Sequence, residues 1–423
     1  MEQTQKLMKF LHTSLTAYHA VENAKKALLE KGFSELFEGD IWELREGGKY
    51  FVERDGSALI AFSVGSSRGG FRIVASHTDS PCWKVKGNAV TFAGGCAKLN
   101  VERYGGVLYY SFLDIPLRLA GRAVYYDEAS GSIYTELVTE KHTVVIPSVA
   151  IHFQRDVNTA LSLNPQTDMQ PIVSLRQDFS LSVGKEGKEP LESDLFLVNA
   201  TEPFLAGFDD EFLVSPRIDN LTSACASVEA LTDAPSEGIA MIYLADNEEV
   251  GSHTKQGAGS DFLVATMARI TNALGGNLET MLPHTFVVSC DNAHAIHPNH
   301  PEKSDPTNPV RLGGGIVIKH HANQNYTTDA VSSAVFKAIL QGADVPYQDF
   351  YMRSDMPCGG TLGAISSTHV SVRSVDIGLA QLAMHSATET MCVADYPRLI
   401  RALRAFFDAD ITATSAWDLK LKK

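Results

Sequence analysis

Asp246-Asn247-Glu248-Glu249-Val250-Gly251 follows closely on an apolar run from Ile239 to Leu244. A buried strand ending in such a concentration of acid is destabilising, because adjacent carboxylates repel and lose hydration on burial. A divalent cation removes that penalty, whereas an acidic solvated loop is the blander reading. The arrangement recurs along the chain. Asp291 ends the apolar run from Thr285 to Ser289, and His77-Thr78-Asp79 ends the run from Phe71 to Ser76. Asp219 stands in Pro216-Arg217-Ile218-Asp219-Asn220 before a helical stretch, and His385 in Leu382-Ala383-Met384-His385-Ser386. Singly, each has an ordinary alternative. Asp219 or Asn220 could cap the helix, His385 could be a core histidine, and His77 a surface histidine beside a turn aspartate. As a set, several apolar segments end in metal-ligand residue types, where α/β folds build their sites.

Imidazole nitrogen and carboxylate oxygen suit zinc, with manganese and cobalt as alternatives. Two ions about 3.5–4 Å apart are best bridged by one carboxylate, each then taking its own histidine and acid. The histidines His77 and His385 and the carboxylates Asp219, Glu249 and Asp291 meet that count. Glu248 is left over as the base that takes a proton from water and delivers it to a leaving amine. Asp79 is spaced to return to the second ring nitrogen of His77 and fix its tautomer.

These residues need a scaffold. Leu7, Phe10, Leu11, Leu15, Val21, Ala24 and Leu28 fall at helical spacing, with Gly32 as a stop. Residues 49–54 and 58–64 read as strands joined by the turn Asp55-Gly56. From about Ala89 to Phe212 short β-rich runs dominate, including 107–112, 122–126 and 142–146. Helical stretches are expected around 220–232, 261–274, 327–342 and 395–410. The fold class is therefore α/β, a mixed sheet with helices on both faces plus an inserted β-rich domain. Residues 1–88 and 213–423 form a discontinuous catalytic domain and 89–212 the insert.

With 423 residues, 44% hydrophobic and 20% charged, the chain has material for more than one core. Its net charge of −14 excludes a global basic footprint for nucleic acid. It also means that an acidic substrate would need a local basic pocket. Six scattered cysteines without a C-x-x-C pair read as reduced thiols of a cytoplasmic protein. No stretch has the length of a membrane span.

Five motifs, in order, resemble those of the aspartyl aminopeptidases: His77-Thr78-Asp79-Ser80-Pro81, Pro216 to Asn220, Asp246 to Ser252, Cys290-Asp291-Asn292-Ala293-His294 and Met384-His385-Ser386. The resemblance implies a zinc-exopeptidase-like fold with the β domain inserted after the first ligand. It implies that His77 and Asp291 serve one metal, Glu249 and His385 the other, with Asp219 bridging and Glu248 as general base. The implied activity is removal of N-terminal Asp or Glu from peptides, in a homododecamer built from dimers. Ile146-Pro147-Ser148-Val149-Ala150-Ile151-His152 resembles the family's loop whose histidine reaches a neighbouring active site. His152 would there stabilise the oxyanion. Gly313-Gly314-Gly315, Lys319 and Tyr326 resemble the substrate-binding segment, with Lys319 as the cation for an acidic side chain. Read without the resemblance, Lys319 is an exposed lysine at a strand end. Asp355-Met356-Pro357-Cys358-Gly359 also matches a family segment, with no role derivable from its residues. Two rival readings remain: a two-metal aminopeptidase of neutral specificity or a deacylase on the same scaffold, and a non-enzymatic metal-bound assembly protein. The second leaves Glu248 without a purpose.

Overall fold

The strand Phe71–His77 is buried along its whole length, and its side chains divide between two cores. Val74 packs into one, Ile73 and Ala75 into the other. Ile239–Ala245 behaves the same way, with Ala240, Ile242 and Leu244 on one face and Met241 and Tyr243 on the other. Such continuous apolar runs belong to strands covered on both faces. In this computed structural model, which describes residues 2–66, 69–184, 188–234 and 238–422, they lie at the centre of a nine-stranded mixed sheet. One face is covered by the helices Glu2–Thr13, Ala17–Glu30, Ile218–Thr232, Ala330–Gly342 and Asp395–Asp408. The other is covered by Phe262–Ala273, Leu278–Met281 and Leu362–Ser366. The α/β fold with helices on both faces is as expected, and the helix ends fall within a few residues of the sequence reading. Helix Ala17–Glu30 stops before Gly32, which takes φ +79°, a region open to glycine. Asp55 and Gly56 both adopt positive φ, as their hairpin turn requires.

Four neighbouring strands run parallel: Ile239–Ala245, Phe71–His77, Phe286–Cys290 and Arg373–Gly378. Their carboxyl ends therefore lie side by side, carrying His77 and leading directly into Asp246 and Asp291. A second, five-stranded sheet extends from this edge. In it Ala380–Leu382 and Glu389–Cys392 form an antiparallel pair, and His385 lies in the loop between them.

The β-rich insert is a six-stranded antiparallel sheet drawn from Cys82–Ala93, Cys96–Tyr104, Leu117–Asp127, Ser132–Val144, Ile172–Ser174 and Glu192–Asn199. Its core includes Trp83, Leu99, Leu117, Tyr125 and Leu197. The expected seams at 88/89 and 212/213 both fall inside paired strands, Cys82–Ala93 and Phe212–Ser215. Turn density marks a change of texture but carries no information about which strands pair. One expected strand is corrected. Residues 107–112 do not pair; Tyr109–Phe112 is a 3-10 turn. Tyr109 and Phe112 pack against Trp83, and the Leu108 N–H donates to the His385 carbonyl, so tertiary packing overrides the β propensity of the aromatics.

The insert is stitched to the N-terminal helices. The His19 ring lies between the Thr16 hydroxyl at 2.9 Å and the Thr139 hydroxyl at 3.0 Å. Arg122 stacks over the Tyr18 ring and donates to the Asp55 carbonyl.

Candidate metal centre

Three overlapping groups of donors converge where the parallel strands end: His77, Asp219 and Asp291; Asp219, Glu249 and His385; and His77, Glu248 and Glu249. His77 Nε2 lies 3.4 Å from Asp291 Oδ1 and 3.6 Å from Asp219 Oδ1. His385 Nε2 lies 3.3 Å from Glu249 Oε2 and 3.6 Å from Asp219 Oδ2. Asp219 thus turns one oxygen toward each histidine. Ligands about 2.1 Å from a tetrahedral zinc ion stand about 3.4 Å from one another, so the donor spacing fits such an ion. Asp219 Oδ1 and Glu249 Oε1 are buried without a hydrogen-bond partner, which an ion would satisfy. The donor set, imidazole and carboxylate, is the chemistry zinc accepts.

The electrostatics report the crowding. Burial opposes ionisation of Asp219, yet the adjacent His385 and His77 hold its carboxyl well below the usual carboxylate range. Burial, and then the Asp219 charge, push Glu249 well up. Burial pushes Glu248 up to about 8; His77 opposes this, and Asp291 and Asp79 reinforce it. His77 is raised despite its burial, because Asp219, Asp291 and Asp79 surround it. Five carboxylates around two imidazoles compete for protons, and cations relieve the same repulsion.

Asp219 does not cap its helix. Arg217 at the cap takes φ +59°, and no side-chain cap bond forms there. Asp79 sits as expected beside His77 Nδ1, its Oδ1 at 3.3 Å and its carbonyl oxygen at 3.2 Å. It also accepts the backbone N–H groups of Glu248 and Glu249, each at 3.2 Å, and the Tyr104 hydroxyl at 2.7 Å. Asp79 therefore ties the first histidine to the Glu248–Val250 turn. Tyr104 comes from the insert, and a tyrosine closing a strand carries no signal by itself. The glycines after it are explicable. A Cβ on Gly105 would lie 3.0 Å from Glu249 Cβ, and one on Gly106 would lie 3.0 Å from His385 Nδ1.

Lys319 is not the exposed lysine of its simpler reading. It is 1% exposed on the strand Ile316–His320, donating to Asp291 Oδ2 at 3.3 Å and the Asn292 carbonyl at 3.2 Å. Burial lowers its basicity, but Asp291, Asp376 and Asp219 more than compensate. Its ammonium lies 5.2 Å from the centroid of the Tyr326 ring, so these two residues are brought together beside the cluster. His152 is not. It is exposed in a turn-rich loop of the insert and belongs to none of the donor groups.

Glu389 carries no signal of its own in the sequence. It is 2% exposed and accepts the Asp219 N–H at 2.9 Å and the His385 N–H at 2.8 Å.

The sequence profile of the family described as aminopeptidase I zinc metalloprotease (M18) matches residues 10–190 and 180–407. A probable M18 family aminopeptidase 2 of Clostridium novyi is 41% identical, covering 95% of this chain and 98% of its own. A probable aspartyl aminopeptidase of Ricinus communis is 34% identical, covering 95% of this chain and 94% of its own. Among solved structures, the mApe1 dodecamer of S. cerevisiae superposes with a TM-score of 0.84 at 26% identity over 96% of each chain.

Proposed function

The chain belongs to the M18 family of aminopeptidase I zinc metalloproteases, and we propose that within it this protein removes N-terminal Asp or Glu from peptides at a two-metal centre. It is a metallo-aminopeptidase; the choice of substrate, the number of ions and the roles of single residues are this proposal. The observation that carries the two-ion reading is the placement of Asp219, with one oxygen toward His77 and the other toward His385, each at 3.6 Å. His77 and Asp291 would hold one ion, Glu249 and His385 the other, with Asp219 shared. Bound zinc, or manganese or cobalt, supplies Lewis acidity and lowers the pKa of water. Glu248 would accept a proton from the attacking water and pass it to the departing amine. Asp79 holds Glu248 in place through its backbone N–H.

Acidic preference is assigned to Lys319, with Tyr326 beside it. An ammonium has three donors. Asp291 and the Asn292 carbonyl take two, leaving one for a substrate carboxylate. The same contact supports the rival of neutral specificity, in which Lys319 serves only Asp291. The two readings separate on peptides that differ in their first residue. Acidic specificity predicts that kcat/KM for N-terminal Asp exceeds that for Leu and Ala, and that Lys319→Ala lowers the Asp value at least tenfold more than the Ala value. Equal losses, or faster release of Leu, would establish the neutral reading.

Residues 1–88 and 213–423 act as the catalytic unit, and 89–212 as the insert through which copies pair. The exposed side chains Val149, Ile151 and Phe153 flank His152. They support pairing that carries His152 to a neighbour's site, within a dodecamer like that of mApe1. Among the described residues no helix is long and apolar enough to cross a membrane, and the six cysteines are unpaired, which supports a cytoplasmic enzyme.

A further inference from the structure

The two histidines at the centre are held in different ways. His77 ends a buried strand, is 1% exposed, and has Asp79 against Nδ1. His385 lies in the loop between Ala380–Leu382 and Glu389–Cys392, with its side chain 32% exposed. Both Ala383 and His385 in that loop have positive φ, at 57° and 65°. Among the described residues no carboxylate stands against His385 Nδ1; that side of the ring faces Gly106. The backbone of this loop must therefore fix the ring.

Glu389 does that fixing. Its Oε1 accepts the His385 N–H at 2.8 Å and the Gln381 side-chain amide at 3.2 Å. Its Oε2 accepts the Asp219 N–H at 2.9 Å. One carboxylate thus spans the backbones of two residues whose side chains share a donor group. It is 2% exposed and, among the described residues, forms no salt bridge. A buried acid without a cation is expensive to keep unless its hydrogen bonds are needed. Gln381 continues the chain of contacts: its side-chain oxygen accepts from the side-chain amide of Asn292, which follows the donor Asp291.

We propose that Glu389 is a positioning residue for the metal ion of the Asp219–Glu249–His385 group, fixing the spacing of Asp219 and His385 through their backbone amides without touching the ion. The inference rests on the metal-site reading above. Glu389→Gln tests it with almost no change of volume. A glutamine accepts at one oxygen only, and its NH2 must face one of the two backbone N–H groups, leaving that donor unsatisfied. Loss of such a supporting contact lowers metal affinity roughly 10- to 100-fold.

The measurement is zinc binding to the metal-free full-length protein by chelator competition. A second readout is the visible absorption spectrum on stepwise cobalt loading. Wild type should bind two ions. Glu389→Gln should lose at least tenfold in affinity at the site that includes His385, with an altered cobalt spectrum there, and weaken the other site, which shares only Asp219, by clearly less. Gln381→Met leaves the carboxylate in place and removes one of its donors. It should weaken the same site by less, and it keeps the test available if Glu389→Gln fails to fold. Unchanged affinity at both sites in these variants, or equal weakening of both sites, overturns the proposal while sparing the metal site. Failure of wild type to bind two ions overturns the two-metal reading instead.

Discussion

Glu248 and Glu249 are adjacent, yet their surroundings differ. Glu249 Oε2 meets His385 at 3.3 Å, in a donor group with Asp219. Glu248 belongs only to the group with His77 and Glu249, and is partly exposed. A Glu248→Gln variant should lose roughly a thousandfold or more in kcat, within the range expected for removing a general base. Metal content measured on the same preparation should be unchanged. Turnover near the wild-type level would remove Glu248 from the mechanism, and a variant stripped of metal would make it a ligand. This pair was legible in sequence because two acids at the end of a buried strand have few structural justifications. His77 and Asp291 were legible only as members of a set, because one such residue at a strand end has an ordinary alternative. Glu389 and Tyr104 were not. Both act on groups that any residue could present, a backbone N–H or another residue's carboxylate, so only the folded chain shows what they hold.

At the scale of elements, the apolar runs foretold the central strands because strands buried on both faces leave no polar positions. The insert's outline was legible from turn density, whereas its seams and the 3-10 turn at Tyr109–Phe112 depend on pairing between distant segments. His19 makes one such seam testable. Burial pulls its imidazole down to about 4, with the Arg217 charge adding to the effect. The neutral ring suits its position between the Thr16 and Thr139 hydroxyls. The sign follows from linkage. The unfolded chain takes up a proton near pH 6.5 that the folded chain refuses until about 4. The contribution to stability is therefore complete above pH 6.5, falls as pH drops toward 4, and changes no further below that. A shift of this size corresponds to about 3 kcal/mol over the window. Urea unfolding of the metal-free protein at pH 7, 5.5 and 4.5 should show wild type losing stability more steeply than His19→Gln. Parallel losses in the two proteins would show that the ring is not responsible.

At the scale of the molecule, a single chain leaves His152 exposed and away from the donor groups. The proposed role of His152 puts the site it serves in another copy. Two inactive variants can decide this. A His152→Ala subunit keeps its own Glu248, and a Glu248→Gln subunit still offers its His152. Reassembled together from separated subunits, they place intact Glu248 and intact His152 at some sites. With random pairing, half the sites carry Glu248 and half of those face an intact neighbour, so about a quarter of wild-type activity should return. Each variant reassembled alone should stay inactive, because every site in it lacks one of the two groups. If His152 acted within its own chain, mixing would restore nothing, since no subunit in the mixture carries both residues. Recovery near a quarter would therefore establish both the role of His152 and the need for a neighbour. A His152→Ala protein that is fully active alone would remove the residue from the mechanism and leave the metal centre to work within one chain.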